Sequence, residues 1–323
     1  MYEPENRINL EPIATKVKAI REEISKYIVG QEQMINLLLV ALLADGHVLI
    51  EGVPGVAKTI TARLLAKCIN VDFNRIQFTP DLLPSDIIGT SVYNTQESAF
   101  TFNKGPLFSN IVLADEINRA PAKTQAALFE AMEEHQITAD GMTYPLKSPF
   151  MVLATQNPID LEGTYRLPEA QIDRFLFKII VNYPSLDQEI QIITQHHQRK
   201  GNIKIEQVNS IIDSQELNNL RSLVNDIYID EKLIQYIAQI VEGTRNNPDL
   251  FLGASPRASL SILQASKAFA AINGRDFVIP DDILFLCPHI FIHRIILSPE
   301  KEIEGVEKMD YIKEIIQKVE IPR

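Results

Sequence analysis

Residues 52–59 read GVPGVAKT and directly follow a short apolar run. Glycine lets a backbone turn sharply and approach a phosphate closely, and the N–H groups at the start of a helix bind anions. In such a loop Lys58 supplies positive charge to the β- and γ-phosphates, and Thr59 presents a hydroxyl to Mg²⁺. The pattern, placed between a strand and a helix, predicts a nucleotide-binding P-loop rather than a tight turn that binds nothing.

One residue departs from the strict P-loop pattern. The pattern has glycine before the lysine, whereas this chain has Ala57. A methyl group is tolerated at this position if the residue has a negative φ, which alanine adopts without strain. The residues expected to bind the nucleotide in this segment are Gly52, Val53, Pro54, Gly55, Val56, Ala57, Lys58, Thr59 and Ile60.

Two carboxylates, Asp115 and Glu116, end a strongly apolar run. At the end of a buried strand, Asp115 is suited to hold Mg²⁺ through water, and Glu116 to orient and deprotonate an attacking water. Asn157 follows the next apolar run and is suited to hold that water near Glu116. Each would be an ordinary turn residue by itself, but together with the P-loop they predict hydrolysis of ATP.

Near-continuous apolar runs alternate with helical patterns over residues 1–184. Such runs suit strands that are buried on both faces, as in a parallel sheet covered by helices. We therefore predict an α/β P-loop domain, an αβα core with a parallel five-stranded sheet. The expected strands are 47–51, 73–78, 110–114, 150–154 and 175–181, and the expected helices are 13–27, 31–44, 60–69, 122–134 and 168–173.

Two segments interrupt this alternation. Residues 90–102 are polar with interspersed aromatics, and residues 136–146 carry an Asp140-Gly141 pair, which predicts a β-hairpin. After residue 184 the patterns are helical, so we place a domain boundary at 184/185 and expect a helical domain over 185–323. Its expected helices are 187–198, 215–224, 231–244, 259–273 and 280–285.

The charge balance argues against a protein that binds nucleic acid. The 323 residues carry 31 Lys+Arg and 42 Asp+Glu, a net charge of −11, and neither interrupting segment contains Lys or Arg. Proteins that bind nucleic acid need such cations to neutralise phosphates, so nucleic acid is not the expected partner. Cys68 and Cys287 cannot form a disulfide framework, and we find no signal-peptide pattern and no apolar run of membrane-spanning length. We expect a soluble cytoplasmic protein.

Four segments, GVPGVAKT, IVLADEINRAPAKTQAALFEAMEE, ATQNPIDLEGTYRLPEAQIDRF and GASPRAS, resemble those of the MoxR-type AAA+ ATPases. The resemblance runs from about residue 27 to about residue 282. It implies an ATPase core with an all-α lid, ATP and Mg²⁺ as cofactors, and a homo-oligomeric ring, usually a hexamer, with ATP between subunits. Members of the family commonly have alanine before the P-loop lysine.

The resemblance also implies roles for several arginines. Arg174 matches the arginine that reaches the neighbour's γ-phosphate, and Arg166 and Arg119 are further candidates at that interface; the alternative for each is a salt bridge inside the domain. Arg257 matches the sensor-2 arginine, which touches the nucleotide and couples the position of the lid to it. Residues 27–30 match the stretch beside the adenine, which adds Val29 and Gly30 to the nucleotide-binding residues.

The two interrupting segments match a helix-2 insert (90–102) and a pre-sensor-1 hairpin (136–146). In the first of these segments, Phe100 and Phe102 either grip a polypeptide or form a local apolar plug. The resemblance implies remodelling or maturation of protein clients, with a von Willebrand factor A-domain protein as partner. Two alternatives stay open: a motor that moves along nucleic acid, and a nucleotide-gated scaffold with negligible turnover, against which the presence of Glu116 argues.

Overall fold

The computed structural model describes residues 9–96, 98–158, 165–199 and 204–322. Helices and strands alternate up to residue 181. In chain order these elements are α1 (Glu11–Ser25), α2 (Glu32–Leu43), β1 (Val48–Gly52), α3 (Lys58–Cys68), β2 (Phe73–Gln77), α4 (Pro84–Ile88), β3 (Gly89–Asn94), β4 (Ala99–Lys104), β5 (Ile111–Asp115), α5 (Ala122–Glu134), β6 (Gln136–Ala139), β7 (Met142–Pro145), β8 (Met151–Gln156), α6 (Glu169–Ile172) and β9 (Phe177–Val181).

The described part of the chain from residue 186 onward is mainly helical. Its elements are α7 (Leu186–Arg199), α8 (Ser214–Asn225), α9 (Glu231–Arg245), β10 (Leu250–Leu252), α10 (Pro256–Ile272), α11 (Pro280–Phe291), β11 (Ile296–Leu297), α12 (Pro299–Ile303) and α13 (Lys308–Gln317).

Five strands form one parallel sheet in the order β2-β5-β8-β1-β9. Successive residues of a strand face opposite sides of the sheet. On β1, Val48 and Ile50 pack in a core with α1, α2 and α3, whereas Leu49 packs in a second core with α5. Helices cover both faces, so the predicted αβα core with a five-stranded parallel sheet is confirmed.

Both interrupting segments are antiparallel hairpins, β3–β4 and β6–β7. Asp140 and Gly141 have φ of 51° and 75°, as a two-residue turn with two positive φ values requires. The hairpins touch each other: the Phe102 ring stacks on Tyr144 with centroids 4.5 Å apart. Phe102 is therefore packed, whereas Phe100 is 74% exposed.

The helical part differs from expectation in three places. Helix α11 continues to Phe291, six residues beyond the predicted end, because Leu286, Cys287 and Ile290 are fully buried and hold the helix together past Pro288. The short β10–β11 pair and the helices α12 and α13 were not predicted. Buried residues of α9, α10 and α11 belong to the same apolar core as α1, α2 and α3, so the lid shares its interior with the α/β part.

Arg294 joins the lid to the sheet. Its side chain is 2% exposed, and its Nε donates to Asp173 Oδ1 at 2.8 Å. The same guanidinium donates to the carbonyl oxygens of Phe175 and Ile290 at 2.7 Å. Burial lowers the pKa of Arg294 to about 10, opposed by Asp173, so the group stays charged at neutral pH. None of the helices in the described ranges is long and apolar enough to cross a membrane.

We expect Arg294→Ala to lower the free energy of unfolding by about 3–5 kcal/mol, because it removes the buried cation beside Asp173 and its hydrogen bonds to interior carbonyl oxygens. Arg166→Ala is the control, since its ion pair with Glu169 is 82% exposed on the arginine side and is worth less than about 1 kcal/mol. Urea unfolding of both variants measures the difference. Equal midpoints for the two variants would contradict the structural role of Arg294.

Candidate active site

The P-loop runs from the end of β1 at Gly52 to the start of α3 at Lys58. A Cβ at Gly52 would lie 2.7 Å from the carbonyl oxygen of Val181, so no side chain fits there. None of the described side chains caps the amino end of α3. The N–H groups of its first turn therefore stay available to an anion, and the loop fits the phosphates of a nucleotide.

Ala57 has φ +62°, in the left-handed region. The negative φ at which the methyl group would fit without strain is therefore not what this residue adopts. The chain must reverse its path between the strand and α3 within a few residues, and a left-handed residue directly before the helix achieves this. Alanine pays roughly 1–2 kcal/mol for that conformation, which glycine adopts freely.

Lys58 folds back over the loop. Its Nζ donates to the carbonyl oxygen of Gly52 at 2.6 Å. Burial lowers the pKa of the Lys58 ammonium, and the carboxylates of Asp115, Glu116 and Glu51 oppose this shift. Lys58 is thus held in the centre of the loop, with acidic groups of the neighbouring strands around it.

Both carboxylate oxygens of Asp115 are engaged at the end of β5. Thr155 donates to Oδ1 at 2.5 Å and accepts from the Glu116 N–H at 2.9 Å. Arg75 donates to Oδ2 through Nη2 at 2.6 Å and Nε at 2.9 Å. Thr155 and Arg75 were missed in the sequence, because only the register of β2, β5 and β8 brings them to Asp115.

Glu116 follows Asp115 with φ +56° and forms an ion pair with Arg119 at 2.8 Å. Asn157 comes directly after Gln156, which pairs with Glu51 in the register of β8 with β1. Strand β8 lies between β1 and β5, so Asn157 lies at the sheet edge between the P-loop and the two carboxylates. The structure therefore brings together the predicted loop, acidic pair and asparagine.

A cavity of about 590 Å³ adjoins the loop and is lined by its residues Gly55, Ala57 and Ile60. The predicted Val29 lines it as well. Gly30 does not; its φ of +70° turns the chain towards α2, and it lies against Gln188.

The far wall of this cavity comes from α7, which sequence reasoning did not connect with the site. Ile192, Gln195, His196 and Arg199 line the cavity. The Arg199 guanidinium lies over the Tyr27 ring, 5.5 Å from its centroid, and donates to the Lys26 carbonyl oxygen. These four residues recur at spacings of three and four, which put them on one helix face, and that spacing was the available signal.

Two of the four predicted arginines, Arg174 and Arg257, lie at the opposite edge of the sheet. Arg174 precedes β9, and Arg257 lies at the start of α10. Both form ion pairs with Glu133 at the end of α5, Arg174 through Nη1 at 2.5 Å and Arg257 through Nη2.

Strand register separates this edge from the P-loop. In the parallel pair β1–β9, Val48 faces Phe177 and Gly52 faces Val181. Four residues at about 3.3 Å each put the P-loop roughly 13 Å or more from Arg174 in the same chain. Arg257 lies beside Arg174, so it is not in the P-loop cavity of its own chain, in contrast to a sensor-2 contact within one chain.

The remaining arginine candidates are paired within the chain, as Arg119 is with Glu116. Arg166 forms an ion pair with Glu169 at 2.9 Å. Residues 159–164, part of the segment that resembles the family, lie outside the described residues, as do residue 97 of the first hairpin and the chain ends at 1–8 and 323.

Comparison with known proteins adds to this geometry. Residues 47–177 match the model of the ATPase family associated with various cellular activities (AAA), and residues 242–315 match that of the AAA lid domain. A crystal structure of a provisionally assigned ATPase from Cytophaga hutchinsonii superimposes with a TM-score of 0.90, at 44% identity and 97% coverage of both chains.

Two relatives are similar over nearly the whole chain. The uncharacterised protein YeaC of Bacillus subtilis is 48% identical over 301 residues, 93% of each chain. Chaperone MoxR1 of Mycobacterium tuberculosis is 43% identical over 310 residues, 93% of this chain and 81% of its own length. This chain belongs to the MoxR-type AAA+ ATPase family. The prediction from the sequence motifs is confirmed.

The predicted site residues of this MoxR-type chain fall in both of the segments that match family models. The AAA span contains the P-loop, the acidic pair, Asn157 and Arg174, whereas Arg257 lies in the lid span. The two arginines of the far edge therefore come from different parts of the MoxR-type architecture and meet at Glu133.

We expect Ala57→Gly to raise the free energy of unfolding by up to about 1 kcal/mol, because glycine removes the strain of the left-handed conformation. Ala126→Gly, at an exposed position inside α5, is the matched control and should lower that energy by about 1 kcal/mol. Chemical denaturation of both variants checks the opposite signs. A loss of stability in Ala57→Gly as large as in the control would refute the strain at Ala57.

Proposed function

We propose that this chain is a Mg²⁺-dependent ATPase that works in a ring and couples hydrolysis of ATP to remodelling of protein clients. The observation that carries this proposal is the division of the site. The loop, the acidic pair and Asn157 lie at one edge of the sheet, and two arginines lie at the opposite edge. A chain that carries the two halves of a phosphoryl-transfer site on opposite edges completes the site with a second copy.

At the P-loop edge, the N–H groups of the α3 amino end and Lys58 bind the phosphates. Thr59 and Asp115 would hold Mg²⁺, Asp115 through water, and the ion would neutralise charge on the phosphate oxygens. Glu116 takes a proton from the attacking water, which Asn157 orients. Because Glu116 is paired with Arg119 in the isolated chain, that ion pair must open before Glu116 can act as a base.

At the arginine edge, Arg174 stabilises negative charge on the γ-phosphate of the neighbouring subunit, and Arg257 acts beside it. Repeated contact between one edge and the opposite edge of the next copy is a heterologous interface, which forms a ring when the rotation between copies closes and a filament when it does not. We propose a hexamer, the arrangement implied by the family resemblance.

Protein clients are favoured over nucleic acid. Residues 90–102 and 136–146 carry no Lys or Arg, the first hairpin has a single lysine, Lys104 at the end of β4, and the chain has a net charge of −11. The relative in M. tuberculosis is named a chaperone. We propose chaperone-like maturation of protein clients in the cytoplasm, with a von Willebrand factor A-domain protein as partner. Salt-dependent tight binding of DNA would count against this client class.

Glu116→Gln should retain ATP and lose hydrolysis by about 100-fold or more, because the amide cannot accept the proton of the attacking water. Glu130→Gln, on the exposed side of α5, removes the same charge outside the site and serves as control. Phosphate release and equilibrium binding of labelled ATP measure the two properties. Hydrolysis by Glu116→Gln at the wild-type rate would show that the base is assigned incorrectly.

Arg174→Ala should lower hydrolysis by about 10³-fold while nucleotide affinity stays nearly unchanged, since the arginine serves the neighbouring site. Lys58→Ala should lose ATP binding in its own subunit and keep its arginine edge. Mixed in equal amounts, the two inactive variants should recover roughly a quarter of wild-type turnover, because one interface in four pairs an intact loop with an intact arginine edge. A mixture that stays inactive would rule out action between subunits.

A further inference from the structure

One carboxylate binds both arginines of the far edge. Glu133 Oε2 accepts from Arg174 Nη1 at 2.5 Å, and Glu133 Oε1 accepts from Arg257 Nη2. Arg174 belongs to the segment before β9 and Arg257 to the lid helix α10, so the two arginines come from parts of the chain more than 80 residues apart in sequence and share a single partner. The side chains of Arg174, Arg257 and Glu133 are 29%, 46% and 33% exposed, which leaves them within reach of another subunit.

Arg174 and Arg257 are also held by hydrogen bonds to other parts of their own chain. Arg174 Nη1 donates to the Phe129 carbonyl oxygen at 2.7 Å. The backbone N–H of Arg257 donates to Ser255 Oγ, and that hydroxyl donates to Asp173 Oδ2 at 2.7 Å. Asp173, which is held by Arg294, directly precedes Arg174. The start of the lid helix and the Arg174 segment are therefore tied together beside Glu133.

The backbone under Glu133 is fixed as well. His47 is buried; its Nδ1 accepts from the Val152 N–H at 3.0 Å, so its Nε2 carries the proton that it donates to the Met132 carbonyl oxygen. Burial lowers the pKa of His47 to about 4, so this neutral bridge persists at neutral pH. The Glu133 side chain therefore projects from a part of α5 whose backbone is held against the sheet by hydrogen bonds.

Two guanidinium groups repel each other when they lie side by side without an anion between them. We propose that Glu133 is a positioning residue that holds Arg174 and Arg257 as a pair and presents both to the nucleotide of the neighbouring subunit. This inference rests on the proposed function, since it concerns turnover at the interface. Without the carboxylate, the arginines spread apart and reach the γ-phosphate in the correct geometry less often.

The test compares Glu133→Gln with Glu134→Gln, which removes the same charge from the next residue of α5. In the assembled ATPase we expect Glu133→Gln to lower kcat about tenfold or more, with KM and the affinity for ATP unchanged, and Glu134→Gln to keep wild-type kcat. Glu133→Asp retains the charge on a shorter side chain and should fall between wild type and Glu133→Gln. Urea midpoints of all variants separate loss of turnover from loss of folding.

Mixing Glu133→Gln with Lys58→Ala subunits shows which edge of the subunit the Glu133→Gln substitution impairs. Glu133→Gln subunits keep an intact P-loop, and Lys58→Ala subunits keep an intact arginine edge. An equal mixture should exceed the mean activity of the two separate variants several-fold, because some interfaces combine the intact parts. A kcat of Glu133→Gln at or above wild type, or a loss that mixing does not relieve, would overturn the positioning role.

The Arg174→Ala mixture separates this failure from failure of the proposed function. If that mixture recovers activity while the Glu133→Gln mixture does not, the arginines act between subunits and only the role of Glu133 is wrong. If neither mixture recovers, the interface site itself is refuted, and the role of Glu133 is refuted with it.

Discussion

The parallel pairing of β1 with β9 is the constraint on which the rest of the site depends. It places the P-loop after one strand and Arg174 before the other, so the length of the sheet separates them. No side-chain rotation and no small loop movement spans that distance, because the backbones of both strands are fixed by ladder hydrogen bonds. The acidic pair lies with the P-loop because β5 runs in the same direction. The topology therefore places the P-loop and the acidic pair at one edge and the arginines at the other, and the proposed sharing of a site between copies rests on that placement.

The lid is coupled to this sheet more closely than a two-domain division suggests. Apolar residues of α10 and α11 share a core with α1 and α2, and Arg294 connects α11 and its following turn to Asp173. A shift of the lid relative to β9 would break a buried ion pair whose loss costs several kcal/mol, roughly 3–5. Arg257 is therefore carried by a helix whose position is set from the sheet. The boundary at 184/185 stays a prediction; it lies just before α7, whose residues 186–199 are all at least partly exposed.

Much of the loop and sheet could be predicted because their signals are local. The P-loop and the acidic pair are each contained in a few consecutive residues, and the buried strands show as apolar runs. Contacts that depend on register could not be predicted: Thr155 and Arg75 reach Asp115 only through strand pairing. The same holds for Glu133, which looked like an ordinary residue of a helix end. The positive φ of Ala57 could not be predicted, because closure of the loop, rather than the preference of alanine, decides it.

Ion pairs in the site differ in a way that fits their proposed roles. Glu116–Arg119 and the pairs of Glu133 with Arg174 and Arg257 have side chains that are between 29% and 46% exposed. Such pairs contribute at most about 1 kcal/mol each, so Arg119 can release Glu116, and Arg174 and Arg257 can turn further N–H donors towards a neighbouring phosphate, at little cost. The Asp173–Arg294 pair, by contrast, is almost wholly buried on the arginine side and costs far more to break. These adjustments can therefore occur in the exposed pairs while the buried Asp173–Arg294 pair keeps the lid and the sheet in register.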